Sequence, residues 1–186
     1  LTSPIYIAMI IICLFVTVKY HLRFNENRKF HELNYVNFEL SSSGKEIDKK
    51  LSGLNWITPQ FKNDPSKEIN LINNAISYLK NDHRTKMIMT NYLFLSIILD
   101  QKIFSPSRWI LSDGTTHPLK GSKYFTNYKS FLINILKKNN IEVIYIIDPV
   151  GKSNIYDYIN KSCYQEIQIT EILTSYELKK CHEISD

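Results

Sequence analysis

Glycine is scarce in this chain, five residues in 186. A dinucleotide site of the Gly-rich kind needs glycines straight after the first strand, where the backbone must approach a pyrophosphate. That site is excluded. No Gly-x-x-x-x-Gly-Lys-Ser/Thr loop and no Gly-x-Ser-x-Gly elbow occurs, which removes P-loop phosphate binding and elbow-type serine hydrolysis. Asp-x-Asp, the metal-holding pair of many soluble nucleotide-sugar transferases, is missing too. Only three cysteines are present, Cys13, Cys163 and Cys181, none at Cys-x-x-Cys spacing and none joined by a histidine pair. Neither a metal nor a cofactor is therefore expected. The net charge is +5, but the lysines are scattered among Asn, Asp and Glu without a dense basic block. Nucleic acid is not expected as a partner.

Charge is absent from residues 1–18, where Ile5, Ile7, Ile10, Ile11, Ile12, Leu14, Phe15, Val16 and Val18 dominate. An uncharged apolar run of that length crosses a hydrocarbon core of about 30 Å as a helix. Pro4 suits a helix start, and Tyr6 and Tyr20 suit the two interfaces. A signal peptide would carry basic residues before the run and small residues at a cleavage site after it. Here the basic residues follow the run. The expected organisation is a transmembrane helix over 1–20, a juxtamembrane helix and linker over 21–53, and an α/β domain over 54–186. The lipid bilayer is the first expected partner. The first residue is Leu1 rather than Met, so the expected whole is a longer membrane protein of which this is the C-terminal part.

Within 54–186 the hydrophobic periodicity alternates between helix and strand. Asp64-Pro65-Ser66 is a helix start signal, with Ser66 a possible cap, and Ile69, Ile72, Ala75, Ile76 and Leu79 recur at helical spacing. Lys86–Thr90 reads as a buried strand, and Asn91 as the cap of a second helix running to Leu99. Ile103-Phe104 reads as a short strand. Tyr124 to Lys138 is amphipathic. Ile141 to Ile147 is almost continuously β-branched or aromatic, as a strand buried on both faces is. Residues 154–160 read as a short helix, and 166–170 with 172–178 as one or two late strands. The alternation implies a small Rossmann-like three-layer α/β domain with a parallel or mixed sheet.

The densest polar stretch, 105–123, follows a strand. Ligands of open α/β sheets collect at the carboxyl ends of strands. Arg108 beside Trp109 suits a phosphate or the face of a sugar, and Asp113 with His117 suits acid/base or hydroxyl contacts. Asp148, at the tip of the Ile141–Ile147 strand, is a further candidate. The plainer reading is a surface loop in which Asp113-Gly114 makes a turn, Arg108 pairs with Asp113 and Trp109 covers the core. Cys163 and Cys181 pair only if the domain faces an oxidising compartment; as free thiols they would be buried.

The layout, an apolar span, a basic linker, the helix Glu68–Leu79, the strand Lys86–Thr90 and the helix-strand unit Tyr124–Ile147, resembles the C-terminal tail of polytopic glycosyltransferases of the GT-C type. These integral-membrane enzymes use polyprenyl-phosphate sugars, and a soluble α/β domain often follows their last span. The resemblance implies a non-catalytic domain, since the family's catalytic carboxylate lies in a loop near the start of the full protein. It also implies a polyprenyl-phosphate-linked sugar and an acceptor as partners of that protein, and a domain outside the cytoplasm. The basic flank Lys19, His21, Arg23, Arg28 and Lys29 predicts the opposite sidedness by the positive-inside rule. A membrane-anchored interaction or ligand-binding domain outside that family is the alternative.

Overall fold

The computed structural model describes residues 3–23, 33, 36–107, 110, 116–149 and 155–179. The chain divides into two compact units, Leu1–Glu39 and Leu40–Asp186. In the first, helix α1 spans Ser3–His21. Nineteen residues rise about 28 Å, close to the thickness of a bilayer core. From Pro4 onward every side chain of this helix is exposed, including Ile10, Leu14 and Phe15. A helix apolar all round needs an apolar environment on every side, so α1 is long and apolar enough to span a membrane. Most of the expected juxtamembrane helix, residues 24–32, lies outside the described residues.

The second unit opens with a two-stranded ribbon, β1 (Ser42–Ser43) antiparallel to β2 (Asn55–Trp56). At the end of the expected 21–53 linker, Gly44–Glu46 and Lys49–Leu51 form two 3-10 turns capped by Ser43 and Asp48. Gly44 is obligatory here, because a Cβ would sit 2.7 Å from the Leu51 carbonyl oxygen. Helix α2 (Pro65–Asn81) starts one residue before Ser66. Asp64 accepts from the Lys67 amide at 3.0 Å, so Asp64 is the cap and Pro65 fills the first position, where its missing N–H costs nothing.

A four-stranded sheet follows, in the order β3-β4-β6-β5, with β3 Lys86–Thr90, β4 Val143–Ile147, β5 Tyr164–Gln168 and β6 Leu173–Leu178. β3 and β4 are parallel, while β4–β6 and β6–β5 are antiparallel. The architecture is mixed α/β with a mixed sheet. The two late strands form a hairpin that inserts β6 beside β4, and this sets the sheet apart from an all-parallel one. The period-2 alternation of β3 and β4 feeds two cores. Ile88, Val143, Tyr145 and Ile147 pack with Ile69, Ile72, Ile76 and Leu79 of α2. Met87, Met89, Ile144 and Ile146 pack with Leu132 and Leu136 of α4 (Phe125–Lys138).

Three elements are shorter than expected. Helix α3 is one turn, Leu95–Ile98, and no side chain caps it. Asn91 does not begin it, because the Asn91 Oδ1 accepts from the Ile110 amide at 2.9 Å. Ile103-Phe104 is not a full strand. Phe104 makes a single parallel bridge to Met87, with the Ile88 amide donating to the Phe104 carbonyl at 2.8 Å. The helix expected over 154–160 is a 3-10 turn at Ile155–Asp157.

Candidate functional site

Because β3 and β4 run parallel in register, Thr90 opposite Ile147, their carboxyl ends emerge together. A cavity of about 410 Å³ opens beside the carboxyl end of β3. Ile88, Leu95 and Ile103 give it an apolar floor, while Thr90, Ser105 and Ser107 bring hydroxyl groups to its edge. The Thr90 Oγ1 accepts from the Tyr92 amide at 3.0 Å, which turns the chain out of the strand. The Ser105 Oγ donates to the Ser107 carbonyl at 2.6 Å, and the Ser96 Oγ donates to the Leu93 carbonyl at 2.9 Å. Among the described residues the lining carries no charged side chain.

Behind the cavity lies a fully buried carboxylate. Glu68 accepts from the Tyr92 hydroxyl at 2.7 Å, from the Trp56 Nε1 at 2.9 Å and from the Thr58 hydroxyl at 2.9 Å. Three neutral donors thus solvate the carboxylate in place of water. The rings of Trp56, Tyr92 and Phe94 lie between 5.3 and 6.2 Å from one another. Burial pushes the Tyr92 phenol well above its ordinary value, and the charge and hydrogen bond of Glu68 and the charge of Asp148 add to it. Tyr92 therefore keeps its proton and donates it in a hydrogen bond to Glu68. Glu68 ties α2, the β1–β2 ribbon and the segment after β3 together, so it shapes the cavity wall.

Of the residues singled out in the sequence, Arg108, Trp109 and Asp113 lie outside the described residues. The described start of their loop, Ser105–Ser107, lines the cavity. His117 is buried and does not line it. The His117 Nδ1 lies 3.2 Å from the Thr116 hydroxyl, and its ring meets that of Tyr158 edge-on at 6.0 Å. Tyr158 belongs to the core on the α4 side. Asp148 is half-buried, its amide donates to the Ile172 carbonyl at 2.9 Å, and it borders a separate depression with Glu166 and Glu171. Cys163 is buried and disulfide-bonded, whereas Cys13 is free; Cys181 lies outside the described residues. Among the described residues no group of three His, Cys, Asp or Glu side chains is placed to hold a metal. No family model, no curated protein and no solved structure matches the chain.

Sequence reasoning passed over Glu68, Trp56 and Tyr92 as site residues. A signal was present. Glu68 lies four residues before Ile72 and seven before Ala75, on the apolar stripe of α2, and a carboxylate on a buried stripe demands partners.

Proposed function

We propose that the chain is a membrane-anchored, non-catalytic ligand-binding domain whose site is the cavity at the carboxyl end of β3. One observation carries this reading: the cavity is apolar, edged by hydroxyl groups and free of charge among its described lining residues. A pocket of a few hundred Å³, mostly apolar with a few placed polar groups, is what a small organic ligand uses. The chemistry fits a neutral polyol or sugar ring with an apolar face, hydrogen-bonded through Thr90, Ser105 and Ser107. The parent we favour is a polytopic glycosyltransferase that uses a polyprenyl-phosphate-linked sugar, with this domain accessory to the missing catalytic part. We also retain the Rossmann-like reading for β3, α4 and β4, with α2 and α4 on opposite faces. The domain is placed outside the cytoplasm in this proposal, because the disulfide at Cys163 is favoured by an oxidising compartment.

The test uses the whole chain in nanodiscs on a Trp109→Phe background, so that Trp56 reports fluorescence next to Tyr92. A short-chain alkyl glycoside, kept below its micelle concentration, should give a saturable change that Ser96→Phe abolishes by filling the cavity mouth. A response that does not saturate, or that Ser96→Phe leaves intact, refutes the site. The parent is checked by reading the coding sequence upstream of Leu1. Absence of further apolar spans and of an acidic first loop there would remove the glycosyltransferase.

A further inference from the structure

The amino end of the sheet holds a second cavity, about 560 Å³, with opposite chemistry. Arg84, Lys86, Lys102 and Lys138 line it together with His83 and Asn140, and among the described residues no carboxylate does. Its walls are fixed. The Lys102–Phe104 segment is held to β3 by the Phe104 amide donating to the Lys86 carbonyl at 3.2 Å, and the Lys102 ammonium sits 5.0 Å from the Phe104 ring centre. Lys138 is the last residue of α4, and the Asn139 side chain caps that helix by donating to the Ile135 carbonyl at 2.9 Å.

The neighbouring carboxylates are already engaged. Asp82 receives the Arg84 Nε at 3.0 Å and Nη2 at 2.9 Å, and also the Tyr145 hydroxyl. Glu177 receives the Arg84 Nη2 at 3.1 Å, and Glu142 receives the Thr85 amide at 2.8 Å. Arg84 is thus neutralised. Lys86 is not: its buried ammonium donates to the Leu79 carbonyl at 2.8 Å, to the Asp82 carbonyl and to the Gln101 Oε1 at 2.8 Å, all of them uncharged. Lys102 and Lys138 make no ion pair among the described residues. The carboxyl ends of α2 and α4 come to this end of the sheet and supply about half a negative charge each. Three lysines outweigh the two helix ends by about two positive charges within the lining, while Asp82, Glu177 and Glu142, which carry two more negative charges than Arg84 offsets, stand outside it.

We propose that this cavity is a binding site for a phosphate-bearing anion, with Lys102 and Lys138 as its contacting cations and Lys86 as a buried source of positive potential. The Asn140 side chain lines the same cavity, while the Gln101 amide is held by Lys86 and by the Lys80 carbonyl. The site lies at the opposite end of β3 from the neutral cavity and does not depend on it. A soluble phosphate ester and an anionic lipid headgroup share the chemistry that would be recognised.

The experiment is calorimetric titration of the whole chain, in phosphatidylcholine nanodiscs, with inorganic pyrophosphate. Saturable, salt-sensitive binding is expected, and Lys102→Gln with Lys138→Gln should weaken it at least about tenfold, two charge-assisted hydrogen bonds being lost. Both lysines are exposed, so the double variant keeps its fold. Lys45→Gln with Lys49→Gln removes the same charge elsewhere and should change nothing. No saturable binding up to about 10 mM, or equal weakening by the two double variants, overturns the site. Repeating the titration in nanodiscs containing phosphatidic acid separates the sources. Competition by the bilayer assigns the site to a headgroup, and undiminished pyrophosphate affinity assigns it to a soluble ester.

Discussion

Removing the Glu68 carboxylate perturbs the domain at its most interdependent point. In Glu68→Ala three donors lose their acceptor: the Tyr92 hydroxyl, the Trp56 Nε1 and the Thr58 hydroxyl. A buried donor left bare costs about 1–3 kcal/mol. Tyr92 is buried and bears that cost in full, whereas Trp56 and Thr58 are half-buried and regain part of theirs from water. Removing a buried charge returns some desolvation energy. The balance is a loss of about 3 kcal/mol, which for a chain of this size lowers the melting temperature by about 6–12 °C. Glu68→Gln keeps the shape, and its amide can donate to the Tyr92 oxygen while its carbonyl accepts from the other two. That loses the charge assistance and leaves the Tyr92 hydroxyl hydrogen without its acceptor, about 1–2 kcal/mol in all and less than the Ala variant loses. Thermal unfolding of the detergent-solubilised chain, followed by near-UV circular dichroism, reads both variants. An Ala variant melting with wild type, or a Gln variant as damaged as Ala, would refute the reasoning.

Acid stability depends on Asp82. Burial acts to raise its pKa, but the hydrogen bonds from Arg84 and Tyr145 outweigh burial and hold the carboxyl down to about 2 from 3.8. Since the folded value is depressed, this contribution is complete above the unfolded value and is lost as pH falls from about 4 to 2. It is worth about 2 kcal/mol, so Asp82→Asn should flatten the stability profile over that window in denaturant titrations. Ile144→Asp should prevent folding, because Ile144 is fully buried in β4 and an unpaired charge there costs several kcal/mol; a wild-type melting curve would contradict this. Gly44→Ala should lose about 1–3 kcal/mol as its Cβ meets the Leu51 carbonyl, measured as a lower denaturant midpoint.

Elements with a strong period were readable from the sequence. The stripe Ile69, Ile72, Ile76 and Leu79 defined α2, and the unbroken Val143–Ile147 defined a strand buried on both faces. What depended on tertiary partners was not readable. β5 was legible only loosely, as a strand over 166–170 where Tyr164–Gln168 forms one: it is exposed along most of its length, so Gln165, Glu166 and Gln168 give little apolar pattern, and pairing with β6 sets its bounds. Asn91 looked like a helix cap because Asx side chains favour that position, but a long-range bond to Ile110 took its oxygen. The strand Lys86–Thr90 was read as buried, but the partners that let Lys86 be buried were not legible: the carboxyl end of α2 offers carbonyls that an ammonium satisfies. The site was legible only as a region. Residues 105–107 do line a cavity at a strand's carboxyl end, while the residues that shape its wall, Glu68 and Tyr92, come from α2 and from the turn after β3.

Membrane anchorage is the claim on which the rest hangs, and alkaline carbonate extraction of cells expressing the chain tests it most directly. The account predicts that the intact chain stays in the membrane pellet, because α1 exposes apolar side chains on every face from Pro4 onward. A version starting at Leu40 should move to the supernatant as a folded monomer. Recovery of the intact chain in the detergent-free supernatant, monomeric and folded, would contradict the account.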